Sequence, residues 1–286
     1  MNAHEHIQSL DTVPKFLQAM KHIGVEKTVI LGSSEATFLG NAQGFSKWEE
    51  NNLEILKIAQ TYPNQFIAFP TLDVQDPQKL DKLKHYLEMG GKGLKLYSGN
   101  VFFHQKPLDD ESMTALYAYC EAHQIPILFH VNVGYYQAEF ENILKRFPKI
   151  KMICPHFCLS TIRSQRFEYL MDTYPNLYTD ISFGGNEDSP YAAQGFEIID
   201  ERLNTTKEFF NKYQDRIMYG YDDVVTNHPK KTKYRDAEIG RCYRDFLEKD
   251  QFECKVFKSK THGLVLSPEI LKKIYEDNPK RFLGIE

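Results

Sequence analysis

The chain has 286 residues, of which 42% are hydrophobic and 26% charged, a composition typical of a globular enzyme-sized protein. This length accommodates one large domain, because α/β barrels routinely use about 250 residues as a single unit. The formal net charge of −4 argues against a broad nucleic-acid-binding surface and fits a small polar substrate better. Apolar runs of about 18 residues are absent, so we expect no membrane-spanning helix, and the polar start does not read as a signal peptide.

The first element begins almost at the N-terminus, in the stretch MNAHEH. Side chains two residues apart on a strand point to the same side, so His4 and His6 would converge on one point while Glu5 faces away. Histidine is the commonest protein ligand for zinc-like metals, which makes this strand a candidate metal cradle. The alternative is a pair of solvated histidines near the chain terminus.

Seven further short apolar runs follow, each of the kind found in parallel strands buried on both faces. They are TVILGSS (28–34), FIAFPTLDV (66–74), GLKLYS (93–98), PILFHVN (126–132), IKMICPHF (150–157), NLYTDIS (176–182) and RIMYGYDD (216–223). Amphipathic segments such as 77–89, 110–123 and 197–213 lie between them and are long enough to be crossover helices. With the first strand, eight strands alternate with helices, which predicts a single (β/α)8 barrel domain over residues 1–286.

The end of the chain departs from this regular spacing. Residues 224–266 separate the last strand from the final helix, a distance too long for an ordinary strand-to-helix loop. We expect this insertion to contain a helix over about 236–249 and to lie over the C-terminal mouth of the barrel. Ser267 is the predicted N-cap of the final helix, with Pro268 at its first position.

Five cysteines occur, an odd number with no secretory leader before them. This is typical of the reducing cytoplasm, so we expect a cytoplasmic protein. Cys154 is expected to pack inside the barrel as a small hydrophobe, and Cys158 to lie in a loop. A Cys-x-His-x-Cys ligand set around His156 is the less favoured alternative.

Polar side chains stand at the C-terminal ends of five predicted strands: His4 and His6, Lys95, His130, His156 and Asp222. The C-terminal ends of barrel strands face one cavity, and nitrogen and carboxylate ligands meeting there are what a catalytic zinc with an open water position needs. Taken singly, His130 and His156 could be core histidines satisfied by hydrogen bonds. Their joint occurrence with the other strand-end residues favours a metal site.

Seven strings occur in order between residues 3 and 285, namely AHEH, GGKGLKLY, PILFH, FPKIKMICPHF, YPNLYTDIS, RIMYGYDD and DNPKRFLGI. Together they resemble the amidohydrolase superfamily, in its amidohydrolase-2 branch of metal-dependent (β/α)8-barrel enzymes. The resemblance implies that His4, His6, His130 and Asp222 bind a divalent metal, with His156 as a further ligand or as a general acid/base. The branch contains lactonases, other C–O and C–N hydrolases, hydratases and non-oxidative decarboxylases, so the reaction stays open.

Two departures from the pattern of the branch stand out. Members commonly begin with Asp-x-His-x-His, whereas here Asn2 holds the acidic position and the strand before it is very short. VNVGYY follows His130 where many relatives carry a short Thr-Gly turn, and this bears on the substrate pocket.

Two alternative roles are considered for Lys95. In superfamily members with two metals, a lysine here is carbamylated and bridges both ions. We favour the other reading, in which Lys95 stays cationic, binds a substrate carboxylate and accompanies one divalent ion, most simply zinc.

Several polar side chains around the mouth are predicted to bind substrate together with Lys95: Tyr97, Tyr135, Arg163 and His228. The basic run HPKKTKYR over 228–235 is either a solvated lid surface or a feature that attracts an anionic substrate. A small, possibly anionic, molecule is therefore the expected partner, with no nucleic acid or membrane, and a homo-oligomer is allowed.

The leading functional hypothesis is a metal-dependent hydrolase of an ester, lactone or amide. Zinc lowers the pKa of bound water to about 7. Asp222 would take the proton of that water and His156 would steady the oxyanion. The second hypothesis is a lyase, a non-oxidative decarboxylase or hydratase, at the same site. The third is a barrel that binds a ligand without catalysis.

Overall fold

Eight parallel strands at the centre of the fold alternate with helices. The computed structural model describes residues 1–39, 44–159, 164–183, 195–197, 200–227 and 235–285. The strands are β1 Asn2–Ile7, β2 Thr28–Leu31, β3 Phe66–Phe69, β4 Leu94–Gly99, β5 Ile127–Val131, β6 Met152–Ile153, β7 Leu177–Asp180 and β8 Ile217–Met218. Each overlaps one of the segments predicted as strands, so the barrel architecture is confirmed.

Backbone hydrogen bonds close the ring of strands at two places where neighbouring strands are joined by few such bonds. Between β3 and β4, the Lys95 amide donates to the carbonyl of Pro70 at 2.9 Å. On the other side, the Ala3 amide of β1 donates to the carbonyl of Tyr219 at 2.8 Å. A short strand after β8, β9 Val224–Val225, also pairs in parallel with β1. The first strand therefore closes the barrel despite its position at the start of the chain.

A register shift in β1 explains how so short a strand serves both the core and the site. Its pairing with β2 shifts between Asn2 and Glu5. The backbone amide of His4 donates at 3.1 Å to the side-chain oxygen of Asn2, and the side-chain amide of Asn2 donates at 3.2 Å to Glu5 Oε2. Asn2, which departs from the pattern of the branch, is thus the residue that satisfies this irregular backbone.

Helices surround the barrel and bury one face each against it. They are α1 Val13–Ile23, α2 Glu35–Leu39, α3 Trp48–Thr61, α4 Lys79–Glu88, α5 Thr114–Ala122, α6 Val133–Arg146, α7 Ser164–Thr173, α8 Leu203–Lys212, α9 Arg235–Glu248, α10 Pro268–Lys272, which continues through a π-helical turn, Lys273–Asp277, and α11 Asn278–Leu283. The predicted cap is present, because Ser267 Oγ accepts the Ile270 amide. Within the described ranges, no helix is long and apolar enough to cross a bilayer.

The helix predicted within residues 224–266 exists as α9, but it lies elsewhere than expected. It packs beside α1 in the outer layer: Arg244 donates to the carbonyl of Ile23 at 2.6 Å, and a Cβ on Gly240 would lie 2.5 Å from the Ile23 side chain. The expected cover over the barrel mouth stays a prediction for the rest of 224–266, whereas α9 lies in the outer layer beside α1. The reason is its buried stripe, which includes Ile239 and Phe246 and needs an apolar partner.

Apolar side chains fill the interior of the barrel at the N-terminal ends of the strands. Its apolar side chains alternate along each strand, as in Val29 and Leu31 of β2 or Ile67 and Phe69 of β3. Phe282 of α11 packs into the same cluster. The opposite end of the interior holds polar groups instead, which places any chemistry at the C-terminal ends of the strands.

Four of the five cysteines form disulfides, contrary to the environment expected from their odd number. Cys154 is joined to Cys158, and Cys242 of α9 to Cys254 of the adjoining hairpin, while Cys120 is a buried free thiol. The pairing of Cys154 with Cys158 is incompatible with the Cys-x-His-x-Cys ligand set, whereas Cys154 is fully buried in the hydrophobic core, as predicted. The hairpin consists of β10 Gln251–Cys254 and β11 Ser259–His262.

Candidate metal site

His4 and His6 of β1 converge on a single carboxylate oxygen. The Nε2 atoms of His4 and His6 lie 2.9 Å and 3.1 Å from Oδ1 of Asp222. Asp222 follows β8 in the left-handed region, at φ 50°, and its amide donates to the carbonyl of His4 at 3.1 Å. A non-glycine residue with this backbone is strained, and such strain is concentrated at functional sites.

Each of three histidines has a hydrogen-bond partner at its other ring nitrogen. His4 Nδ1 lies 2.6 Å from Asp180 Oδ2, and His6 Nδ1 lies 2.7 Å from Ser33 Oγ. His156 Nδ1 lies 2.8 Å from Ser182 Oγ. These contacts fix the orientation of the rings, which is the usual role of groups behind metal-ligating histidines.

His156 follows β6 at the start of an unusual backbone turn. His156 and the next three residues all have positive φ, between 52° and 57°. Each such residue costs about 1–2 kcal/mol relative to the right-handed conformation. The turn brings His156 Nε2 to 3.5 Å from Asp222 Oδ2. His156 therefore faces the same carboxylate as the pair on β1.

His130 of β5 lies beside this cluster rather than in it. Its ring centroid is 5.1 Å from that of His156, but its Nε2 lies 3.3 Å from the side-chain nitrogen of Asn100. In the described part of the chain, the sets of ligand atoms within 4.8 Å of one another are His4, His6 and Asp222, and His4, His156 and Asp180.

The charges of the site are set mainly by burial and by the two aspartates. Burial lowers the pKa of His6 to about 4, although Asp222 acts in the other direction. Burial also tends to lower the pKa of His4, but Asp222 and Asp180 outweigh it, so the pKa is raised. Burial favours the neutral form of Asp222, yet His4 and His6 hold its pKa well below the usual range. Asp222 is therefore an anion at neutral pH.

These residues fit a divalent cation. His4 Nε2 is buried and has no hydrogen-bond partner among the described residues, although it lies so close to Asp222. Buried polar atoms are nearly always paired, and a cation bonded to both this nitrogen and the carboxylate oxygen 2.9 Å away would satisfy the nitrogen. Two imidazoles and one carboxylate form a typical ligand set for a catalytic zinc.

Lys95 of β4 also points into the site. Its ammonium is fully buried, lacks a hydrogen-bond partner within the described ranges, and lies 4.6 Å from the centroid of the Tyr97 ring. Burial lowers the pKa of Lys95 to about 8, against the opposing influence of Asp222 and Asp180. Tyr97 is buried as well, and its hydroxyl lies 3.3 Å from both Ser33 Oγ and His6 Nδ1.

The other predicted substrate-binding residues lie farther out or outside the described residues. Tyr135, near the start of α6, is 74% exposed and is part of the rim. Arg163 and His228 lie outside the described residues.

Three supporting side chains were not predicted from the sequence: Ser33, Asp180 and Ser182. Asp180 ends β7, and its position at a strand end is the same signal that identified the other candidates. For the two serines the sequence offers no comparable signal, because their contacts join residues 27 and 26 positions apart.

Fold and site together define a (β/α)8 barrel with a candidate metal site at the C-terminal ends of its strands. The family model described as Amidohydrolase matches residues 3–285. The chain belongs to this amidohydrolase family, and the resemblance seen in the sequence is confirmed. Among curated proteins no match is found.

Solved structures with low sequence identity share the fold. A probable 2-pyrone-4,6-dicarboxylic acid hydrolase from Acinetobacter baumannii, with citric acid bound, is 15% identical at a TM-score of 0.68, over 99% of this chain and 98% of that one. An amidohydrolase from Burkholderia multivorans with bound zinc is 10% identical at a TM-score of 0.67, over 100% of both chains. The 4-oxalomesaconate hydratase from Rhodopseudomonas palustris is 17% identical at a TM-score of 0.58, over 95% of this chain and 80% of that one.

Proposed function

We propose that the protein is a metal-dependent hydrolase that cleaves an ester, lactone or amide bond in a small, carboxylate-bearing molecule. The observation that carries this proposal is the convergence of His4 Nε2 and His6 Nε2 on Asp222 Oδ1, with the His4 nitrogen buried and lacking a hydrogen bond in the described part of the chain. Zinc bound to a structure of the same fold, at 10% identity, supports a divalent ion of this kind.

His4, His6 and Asp222 would hold the ion, with His156 and His130 next to it. When bound, a divalent ion supplies a water of lowered pKa and polarises a carbonyl oxygen. One ion is favoured, and two would require a carbamylated Lys95.

Asp222 and His156 are the proposed catalytic residues. Asp222 is anionic and can accept the proton of the attacking water on Oδ2, the oxygen that faces His156 at 3.5 Å. The same carboxyl group can return that proton to the leaving group. His156 is held by Ser182 and presents its Nε2 to the region where an oxyanion would form.

A substrate carboxylate would be bound by Lys95, aided by Tyr97, Tyr135, Arg163 and His228. The buried Lys95 lacks a hydrogen-bond partner among the described residues, and an anion would satisfy it. Citric acid bound to the A. baumannii protein supports a carboxylated ligand for this fold. Such an enzyme would be a single-domain protein, compatible with a homo-oligomer, and any part of residues 224–266 near the mouth would help to cover its substrate.

A hydratase or non-oxidative decarboxylase is the second candidate. It is favoured by the similarity of fold to 4-oxalomesaconate hydratase. In that case His156 or Asp222 would deliver a proton to carbon, and Lys95 or Arg163 would hold the carboxylate.

Substrate panels distinguish the two candidates. Metal-free protein reconstituted with zinc is assayed against lactones, esters and amides with and without a carboxylate, and against unsaturated and aromatic acids. We expect hydrolysis of a carboxylated member of the first panel, abolished in His4→Ala and in Asp222→Asn. The control is Asp215→Asn, which alters a surface aspartate paired with Lys273 and should leave the rate unchanged. Release of carbon dioxide or hydration of a double bond, without ester, lactone or amide turnover, would contradict the hydrolase.

A further inference from the structure

We propose that Asp180, acting with Ser182, is a positioning residue that places a hydrogen on Nδ1 of both His4 and His156, so that both rings present a free Nε2 to the site. The proposal rests on the proposed function only in assigning a cation to those nitrogens. The hydrogen positions themselves follow from contacts on the end of β7.

One oxygen of Asp180 is saturated with donors. Oδ1 accepts from Ser182 Oγ at 2.6 Å, from the Ser182 amide at 3.1 Å and from the His156 amide at 3.2 Å. An oxygen surrounded by three donors has no direction left for a hydrogen of its own. Oδ1 is therefore an acceptor only.

The second oxygen faces His4. Oδ2 lies 2.6 Å from His4 Nδ1, with both side chains fully buried. Four groups thus surround the two oxygens of Asp180, namely three donors at Oδ1 and the His4 ring at Oδ2, and this arrangement suits the carboxylate form. A carboxylate accepts only, so His4 Nδ1 must carry a hydrogen, and in the neutral ring its Nε2 is then the nitrogen without one and faces Asp222.

The hydroxyl of Ser182 determines the hydrogen position on His156 in a similar way. Its hydroxyl has a single hydrogen, and Asp180 Oδ1 at 2.6 Å receives it. The hydroxyl oxygen can then only accept from His156 Nδ1, which lies at 2.8 Å. His156 must therefore carry its hydrogen on Nδ1 too, and one carboxylate controls two rings on different strands.

The backbone near β8 leaves room for this arrangement. A Cβ on Gly220 would lie 3.0 Å from the Cβ atoms of both His4 and Asp180. Contacts this short are unfavourable, so the glycine allows the imidazole and the carboxylate to approach each other.

Asp180→Asn and Ser182→Ala test the proposal. The asparagine keeps the shape of the side chain but replaces an acceptor with an N–H donor, so it cannot accept from His4 Nδ1 while its oxygen keeps the bonds made by Oδ1. We expect it to weaken zinc binding by about 10–100-fold, measured by competition with a chromophoric chelator. The matched control is Asp200→Asn on the outer surface, where Asp200 Oδ1 lies 2.8 Å from His262 Nδ1, and it should leave zinc affinity unchanged.

Histidine-ring NMR of the metal-free protein at alkaline pH gives a second readout, independent of turnover. We expect the Nδ1–H form for His4 and His156 in the wild type, loss of that form at His4 in Asp180→Asn, and a change confined to His156 in Ser182→Ala. Wild-type rings in the Nε2–H form, or an Asp180→Asn protein with unchanged rings and unchanged zinc affinity, would overturn the proposal. If Asp180→Asn fails to fold, Ser182→Ala decides, and an unchanged His156 ring would overturn it. Failure of the wild type to bind zinc would instead refute the proposed function, while the ring signals would still decide this inference.

Discussion

Acid should destabilise the metal-free protein through His6. Burial lowers the pKa of its ring from 6.5 to about 4. Between these values the unfolded chain binds a proton at His6 that the folded chain does not, so the contribution of His6 to stability is present above pH 6.5 and is lost as the pH falls toward about 4. The shift of roughly 2.5 pH units corresponds to about 3 kcal/mol of unfolding free energy.

His4 does not offset this loss. Its pKa is raised in the folded protein, so its contribution is fully present below its unfolded value and is lost only as the pH rises through the folded value. The two histidines therefore act in different pH ranges.

Urea unfolding of chelator-treated protein measures the effect. Wild type is compared near neutral pH and near pH ~4 with His6→Asn, whose side-chain amide can still donate to Ser33 Oγ. Other titrating groups affect the stability of both proteins in the same way. The free energy of unfolding should therefore fall by about 3 kcal/mol more in the wild type than in the variant between these two pH values. His123→Asn, at an exposed position after α5, is the matched control and should behave as the wild type. Equal losses in wild type and His6→Asn would refute the assignment of a buried, neutral His6.

Three other predictions concern Lys95, Gly220 and the cysteines. Elemental analysis should find one metal per chain in the wild type and in Lys95→Ala, with or without bicarbonate; two metals in the wild type, falling to one or none in the variant, would indicate a carbamylated bridge. Gly220→Ala should weaken zinc binding by about tenfold, because its Cβ would crowd His4 and Asp180, and unchanged affinity would contradict that packing. Alkylation of the purified, denatured and unreduced protein should modify Cys120 alone, whereas five modified cysteines would contradict the disulfides.

The barrel was predictable from the sequence because its signal is local. Parallel strands buried on both faces need continuous apolar runs, and each predicted segment contains a strand, even β6 and β8, which are two residues long. The position of α9 was not predictable in the same way. Its length and stripe indicate a helix, but its packing on α1 depends on contacts with residues more than 200 positions away.

The residues of the site were predictable to a similar extent as the fold. His4, His6, His156 and Asp222 were predicted because they stand at strand ends, and the structure brings them together. In a (β/α)8 barrel the C-terminal strand ends always meet at one cavity, so this much follows from the fold. The groups behind them could not be inferred, because a serine such as Ser33 gains its role only from a partner on another strand. The cysteine pairings were missed because an odd count says nothing about which thiols lie within bonding distance.

A crystal of the protein grown with zinc, with diffraction recorded on both sides of the zinc absorption edge, tests the central claim most directly. We predict an anomalous peak in the barrel interior, bonded to His4 Nε2, His6 Nε2 and a carboxylate oxygen of Asp222. The absence of a peak at these three side chains, or a peak held by other residues, would contradict the account.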